Sequence, residues 1–153
     1  MKSAISKRKI GTPYFYDQQS GVEIKLPEGY LIYNYNRKTW LGGSTNGQQV
    51  MNIERIPTTN GQIPTILAEG DLDLFICSTG TKIEQISEQV TGIEMEGEFS
   101  GQDIKGYLAM VDLLDGNSYL ILVASIEDQS IRNERNLALN IAASLLSKVA
   151  LAA

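Results

Sequence analysis

The sequence predicts an α+β fold: an antiparallel sheet on which a long C-terminal helix and one or two shorter helices pack. Three patterns in the 153-residue chain support this prediction. Two apolar runs, Tyr107–Leu114 and Tyr119–Ile126, flank a turn at residues 115–117. A helical apolar period begins near Ser130, and several earlier stretches alternate apolar with polar residues as half-buried strands do.

The composition is that of a soluble globular protein, with 42% hydrophobic and 20% charged residues. We expect residues 11–153 to form one domain that follows a flexible basic tail over residues 1–10. Weak contact of this tail with a membrane surface is compatible with its charge. The net charge of −5 argues against nucleic-acid binding, which depends on clustered Lys and Arg. No apolar run approaches the ~20 residues of a membrane span. The compartment stays open between the cytoplasm and export with a removed signal.

The chain contains no histidine, so it lacks the commonest general base and the commonest metal ligand. Its single cysteine, Cys77, excludes an intrachain disulfide and lies in an apolar run, where a small buried side chain is the better interpretation. We therefore predict neither an enzyme nor a cofactor.

The first third of the chain predicts four strands. Residues 13–16 and 22–26 form a pair around a turn at Gln18–Gly21, and Tyr30–Tyr35 follows after the turn Pro27–Gly29. Residues 42–47, Gly-Gly-Ser-Thr-Asn-Gly, predict a flexible loop that leads to a partner strand at Gln49–Ile56.

The middle of the chain is ambiguous. Residues 63–77 suit either a short helix, since Pro64 stands just inside its start, or a hairpin that turns at Glu69-Gly70-Asp71, and we favour the helix. Thr81 precedes Glu84 at the spacing of a capping box, which favours a second short helix over residues 82–90, although a strand is also compatible.

The last part of the sheet is the best defined. Residues 93–99 alternate apolar residues with glutamates, which predicts one buried and one acidic face. The two following strands are apolar on both faces, so they belong in the middle of a sheet that is covered on both sides. The C-terminal helix supplies one cover, and the second must come from residues 63–90 or from another subunit.

Two groups of residues are candidate sites. Tyr33, Tyr35, Arg37 and Trp40 combine aromatic and Arg side chains, a composition typical of protein-binding surfaces. Trp40 is the residue that we least expect to be fully buried. The second group, Glu94, Glu96 and Glu98, stands on one strand face at about 6–7 Å spacing, where the carboxylates could share a cation.

The stretch Gly21–Tyr30 combines an alternating strand with a Pro-x-Gly-aromatic turn, the segments Gly106–Met110 and Asp115–Leu120 predict a closing hairpin, and Ala143–Leu146 lies at the end of the last helix. Together these short motifs resemble the PsbP-like and DcrB-like α/β superfamily. The resemblance implies an antiparallel sheet of about six strands with helices against it, and a non-catalytic role such as assembly factor, chaperone or lipoprotein-type binding module. It carries over no catalytic residues. The long helix expected in the middle of that family is represented only by the segment 63–77.

These patterns lead to three hypotheses. The first is a non-catalytic binding or assembly module that engages a protein partner, possibly a second copy of itself. The alternatives are a carboxylate-dependent, possibly cation-assisted hydrolase that uses Glu94, Glu96, Asp112 or Asp71, and a structural subunit of a homo-oligomer.

Overall fold

The computed structural model describes residues 11–57, 76–79, 83–99, 101–113, 116–125 and 131–152. Its elements in chain order are the strands β1 (Tyr14–Asp17), β2 (Val22–Lys25), β3 (Tyr30–Asn36), β4 (Thr39–Ser44), β5 (Gln49–Pro57), β6 (Ile76–Thr79), β7 (Glu84–Gln85), β8 (Val90–Phe99), β9 (Gln102–Asp112) and β10 (Asn117–Ser125), and the helix α1 (Arg132–Ala152).

Within the described ranges, eight strands form one antiparallel sheet. Seven of them follow the order β3-β4-β5-β10-β9-β8-β6, and the eighth, β7, pairs with the part of β8 that β6 does not contact. The strands β1 and β2 form a separate hairpin. The predicted antiparallel sheet with a C-terminal helix is confirmed. The predicted count of about six strands is not confirmed, and the described ranges contain no shorter helix.

One face of the sheet, here called the first face, is covered by α1 and by the β1–β2 hairpin. This face carries Tyr107, Ala109 and Val111 of β9 and Tyr119, Ile121 and Val123 of β10, which are buried in one apolar cluster with the helix and the hairpin. The hairpin contributes Phe15, Val22, Ile24 and Leu26 to the same apolar cluster. The helix and the hairpin therefore lie on one side of the sheet, as a single layer.

The opposite face, the second face, is also buried. Its cluster contains Ile93, Leu108, Met110, Leu120 and Leu122 as main members, and Ile83 packs against it. The prediction that the two central strands are apolar and buried on both faces is confirmed. Asn52 is also buried on this face, and its amide has no hydrogen-bond partner among the described residues. The face is therefore not purely apolar.

The predicted loop at residues 42–47 is wrong in its first half, because Gly42 and Gly43 belong to β4. This strand stands between β3 and β5, so the predicted direct pairing of those two strands is also wrong. A Cβ on Gly42 would lie 2.1 Å from the Leu31 carbonyl oxygen, and one on Gly43 would lie 2.2 Å from that of Gln49. The two glycines are therefore required by close approach of neighbouring backbones and not by loop flexibility.

The predicted helix at residues 82–90 is wrong. Glu84 and Gln85 form β7, which pairs with Gly92 and Thr91 of β8. Ile86, which would have stood on the apolar stripe of the helix, is 40% exposed. Because the edge of β8 supplies hydrogen bonds to this segment, tertiary pairing overrides the local helical pattern.

Several predictions fall outside the described residues. These are the basic tail over residues 1–10 and nearly all of the helix or hairpin at 63–77, of which only the end is described, as part of β6. Cys77 stands in that strand, opposite Gly97. In the part of the chain that is described, no helix combines the length and the apolar character that crossing a bilayer requires.

Candidate functional site

A buried ion pair attaches the β1–β2 hairpin to the sheet. The residues of β1 alternate, so that Phe15 and Asp17 point inward while Tyr14 and Tyr16 point outward. Asp17 is 1% exposed, and its carboxylate accepts a hydrogen bond from the Arg55 guanidinium of β5, which is itself only 8% exposed. A buried charge requires such a partner, since desolvation of an unpaired charge costs several kcal/mol.

Tyr119 of β10 completes this cluster, here called the Asp17 trio (Asp17, Arg55 and Tyr119). Its hydroxyl donates to Asp17 Oδ2 at 2.6 Å and lies 2.8 Å from Ser20 Oγ. The backbone N–H of Gln19 donates to the other carboxylate oxygen at 3.1 Å, and the Gln19 amide oxygen accepts from Arg55 Nη2 at 2.6 Å. Both oxygens of the carboxylate are thus occupied by donors.

The pKa values follow from these contacts. Burial alone raises the pKa of the Asp17 carboxyl, but hydrogen bonds from Tyr119 and Arg55 and the charge of Arg55 outweigh burial and hold this pKa below its ordinary value. Burial and the bond to Asp17 raise the pKa of the Tyr119 hydroxyl. At neutral pH the trio therefore holds a carboxylate, a guanidinium and a neutral phenol.

Trp40 packs beside this trio. Its ring lies 4.7 Å from that of Phe15 at an angle of 60°, and the Arg55 guanidinium carbon is 5.9 Å from its centre. Its Nε1 donates to the Tyr16 carbonyl oxygen at 3.0 Å. Trp40 is only 3% exposed, so the expectation that it would not be fully buried is wrong. The reason is that the hairpin covers a strand end that the sequence alone leaves open.

A cleft of about 570 Å³ opens between the β1–β2 turn and the β3–β4 turn, and we call it the Trp40 cleft. Its lining residues are Tyr16, Asp17, Gln18, Gln19, Asn34, Arg37 and Trp40. The last residue of β1 and Trp40 are buried, whereas the others are exposed. The cleft therefore has a fixed aromatic and ionic floor under a polar rim.

Arg37 is the cation of this rim. It stands in the β3–β4 turn, where the Asn36 side chain accepts the Lys38 N–H at 2.9 Å and the Arg37 carbonyl accepts from Arg55 at 3.2 Å. The Arg37 side chain is exposed, and no ion pair or hydrogen bond holds its guanidinium within the described part of the chain. Hydrogen bonds to its backbone groups fix the turn, whereas the Arg37 guanidinium is exposed.

The four residues predicted as a binding site separate in the structure. Arg37 and Trp40 line the cleft, but Tyr33 pairs with Leu41 and so stands on the second face, opposite to the side of Trp40. Tyr35 lies at a register shift in β3 and is 43% exposed. Burial, and then the neighbouring Tyr35, raise the pKa of Tyr33, so the two tyrosines are close to each other.

The glutamates of β8 are exposed, as predicted. Glu96 stands 3.8 Å from Lys105 on the next strand. Among the described residues, no three Asp, Glu, Cys or His side chains gather closely enough to hold a metal ion. A shared cation at Glu94, Glu96 and Glu98 stays a prediction. Asp71 is outside the described residues.

A second cluster of the same chemistry lies at the other end of the first face, and we call it the Glu84 trio (Glu84, Tyr107 and Arg135). Glu84 Oε1 accepts from the Tyr107 hydroxyl at 2.8 Å, and Arg135 of α1 donates to both carboxylate oxygens at 3.1 Å. The Arg135 guanidinium carbon also lies 5.6 Å from the centre of the Tyr107 ring. This trio joins β7, β9 and α1.

Sequence reasoning missed both trios, although one signal was available for the first. Asp17 and Arg55 stand at inward positions of their strands, two residues after Phe15 and Ile53 respectively. A charged residue at an apolar position of an alternating strand predicts a buried ion pair. For Glu84 the helical interpretation of residues 82–90 concealed the contact.

Neither a protein-family model nor a curated protein sequence matches the chain. The resemblance to the PsbP-like and DcrB-like superfamily therefore stays a prediction.

Proposed function

We propose that the protein is a non-catalytic binding module that engages a protein partner through the Trp40 cleft. The single observation that carries this proposal is a well-packed aromatic floor beside Arg37, whose exposed guanidinium has no partner among the described residues. Arg and aromatic residues supply most of the binding energy at protein interfaces, and interfaces centre on such groups.

The rigidity of the floor supports the proposal. Trp40 is fixed by a hydrogen bond from its indole, by the Phe15 ring and by the Arg55 guanidinium. A partner that docks here orders few side chains, so little of the interaction energy is lost to conformational entropy.

The chemistry of the rim indicates what the partner presents. Gln18 and Gln19 carry exposed amide groups at the rim, whose NH₂ groups suit the carbonyl oxygens of an extended peptide. The Arg37 guanidinium suits a carboxylate, since its planar donors match both oxygens. A polypeptide segment with an acidic side chain fits this combination.

The same cleft offers poor means for hydrolysis. Its carboxylate, Asp17, already accepts from Arg55, Tyr119 and the Gln19 N–H, and its lowered pKa makes it a weak base. A general base requires a lone pair directed at the substrate, whereas Asp17 is buried and already accepts three hydrogen bonds of the about four that a carboxylate can accept. This favours binding over catalysis at this site.

The proposal is tested by site-specific crosslinking. A photoreactive benzoylphenylalanine replaces Gln18 on the rim of the cleft, and in the matched control it replaces Glu98, which is exposed on β8 near the opposite edge of the sheet. We expect irradiation in a native lysate to give a defined adduct for the Gln18 position that the Glu98 position lacks. Equal labelling from both positions would contradict the proposal.

The captured protein is then purified and titrated against variants of Arg37. We expect Arg37→Glu to weaken binding by at least about tenfold, because one attraction is replaced by a repulsion, and Arg37→Lys to weaken it less. Binding of Arg37→Glu with unchanged affinity would contradict the role of this residue. Trp40→Ala is a poor test, since it would leave a cavity beneath the hairpin.

A further inference from the structure

We propose that Arg55 is a positioning residue of the Trp40 cleft, whose guanidinium holds the two walls of the cleft at the separation that a partner recognises. Arg55 acts through Gln19 and Arg37 and does not itself contact the partner. This inference rests on the proposed function of the cleft, and the first part of its test requires no partner.

The two walls of the cleft come from separate turns. Gln18 and Gln19 belong to the β1–β2 turn, and Arg37 belongs to the β3–β4 turn. Among the described residues, no backbone hydrogen bond joins these two turns, since the bridge of Thr12 with Ile32 lies in the first half of β3. The separation of the walls therefore depends on side chains.

The Arg55 guanidinium reaches both walls. Its Nη1 donates to the Asp17 carboxylate at the end of β1. Its Nη2 donates to the Gln19 amide oxygen at 2.6 Å and to the Arg37 carbonyl oxygen at 3.2 Å. One nitrogen thus connects the β1–β2 turn to the β3–β4 turn, while the other attaches the guanidinium to the hairpin. The planar fork of a guanidinium suits this arrangement, because its donors diverge in fixed directions.

Arg55 lies beneath the cleft and not on its surface. It is 8% exposed, and the described lining residues of the cleft do not include it. Arg37, in contrast, is exposed and supplies the cation that meets a partner. Because Arg55 donates to the Arg37 carbonyl, it determines where that cation stands relative to the Gln19 amide and the Trp40 ring. One arginine therefore contacts the partner, and the other sets its position.

A substitution can separate positioning from charge pairing. Arg55→Lys keeps a cation beside Asp17, and it keeps the backbone N–H that donates to the Lys38 carbonyl at 2.8 Å. A single ammonium cannot span the acceptors that two guanidinium nitrogens share, so the connection between the turns is weakened. The bond from Trp40 Nε1 to the Tyr16 carbonyl still ties β1 to β4 at the floor, so we expect the fold to be retained.

The first test follows Trp40, the single tryptophan of the chain, by acrylamide quenching of its fluorescence. Trp40 is only 3% exposed, so its quenching rises when the walls above it separate. Gln19→Ala removes the acceptor that links Arg55 to the β1–β2 turn, and we expect it to raise the quenching constant at least about twofold.

Two further variants control this measurement. Gln19→Glu keeps an oxygen acceptor for the guanidinium, so it should be quenched as wild type is. Gln18→Ala removes the neighbouring rim amide, to which no described hydrogen bond from Arg55 runs, and it should also match wild type. Recovery with Gln19→Glu would show that the bond to Arg55, and not the size of the side chain, keeps the cleft closed over its floor.

The second test uses the protein captured by the Gln18 crosslink, titrated against variants of the full chain. Arg55→Lys should weaken its binding at least about fivefold, because the partner must then order the walls as it docks. Arg135→Lys, the same exchange in the Glu84 trio, is the matched control and should bind as wild type does. Urea denaturation checks that both variants are folded at the assay temperature.

A second comparison of affinities leaves the buried pair intact. Gln18→Ala and Gln19→Ala each remove one rim amide, and only Gln19→Ala also removes a described bond to Arg55. We expect Gln19→Ala to weaken binding at least about threefold more than Gln18→Ala does. This comparison decides the question even if Arg55→Lys does not fold.

Three results would overturn the proposal: equal quenching of wild type, Gln19→Ala and Gln19→Glu, unchanged affinity of folded Arg55→Lys for the captured protein, or equal affinities of Gln18→Ala and Gln19→Ala. Failure to capture any protein would contradict the proposed function instead. The quenching comparison would then still decide whether Arg55 holds the walls.

Discussion

The two trios on the first face contain the same groups, a carboxylate, a phenol and a guanidinium, yet they differ in burial. In the Asp17 trio the side chains of Arg55 and Asp17 are 9% and 2% exposed, whereas those of Arg135 and Glu84 in the Glu84 trio are 35% and 39% exposed. Each trio attaches a peripheral element to the sheet. The comparison shows that the same chemistry stabilises a fold strongly or weakly according to its access to water.

The largest effect is expected when the buried pair is broken. Arg55→Met leaves the Asp17 carboxylate buried without its cation, which should lower the free energy of unfolding by about 3–5 kcal/mol. Urea denaturation at pH 7 measures this change. A loss below about 1 kcal/mol would show that water compensates the carboxylate and would remove the distinction between the trios.

A control for this experiment is the double variant Asp17→Asn, Arg55→Met. Without the buried charge, the methionine should cost much less than it does in the wild-type background. The resulting non-additivity measures the coupling between the two residues.

The next effect concerns the packing beneath the Glu84 trio. A Cβ on Gly92 would lie 2.2 Å from the Tyr107 hydroxyl oxygen, and Tyr107 is fully buried. Gly92→Ala should therefore displace the ring and its bond to Glu84, at a cost of about 1–3 kcal/mol in urea denaturation. Unchanged stability would show that the ring moves freely, and the hydroxyl contact would then contribute little.

The acid limb of the stability curve should report the Asp17 trio. Because the folded pKa of Asp17 is held below that of the unfolded chain, about 3.9, its contribution is present above about pH 4 and is lost as the pH falls through the folded pKa. We expect Asp17→Asn to be less stable than wild type at pH 7 and the difference to shrink toward pH 2. Parallel curves for the two proteins would contradict the lowered pKa.

The smallest effect is expected in the exposed pair. Arg135→Met removes a half-exposed ion pair, which should cost about 0–1 kcal/mol and less still in high salt. A cost equal to that of Arg55→Met would show that burial does not decide the difference between the trios.

The closing hairpin and the helix were predictable because their signals are local. The two apolar runs and the helical period each lie within a short window, and the structure confirms them as β9, β10 and α1. The strand β4 was missed since Gly42 and Gly43 are typical of loops. Their role, to let neighbouring backbones approach, appears only when β3 and β5 are in place.

The candidate site was only partly predictable for the same reason. The composition around Arg37 and Trp40 indicated a recognition surface, and both residues line one cleft. The floor of that cleft combines Trp40 of β4 with Asp17 of β1, a strand that pairs with β2 but also packs on β4 and β5. No local pattern reports this packing, so the contacts of Asp17 and Gln19 with the sheet were missed and Trp40 was not expected to be fully buried.

The way in which the hairpin is attached to the sheet affects its local unfolding. Among the described residues, the bridge of Thr12 with Ile32 is the only backbone pairing between the hairpin and the large sheet, and the other hydrogen bonds cited between them each involve a side chain. An element held in this way can open as a unit while the sheet stays folded. In native-state hydrogen exchange we expect the amides of β1 and β2 to share one opening free energy, well below that of β9 and β10. The Trp40 cleft includes residues of this hairpin, so a partner that binds there would also disfavour that opening.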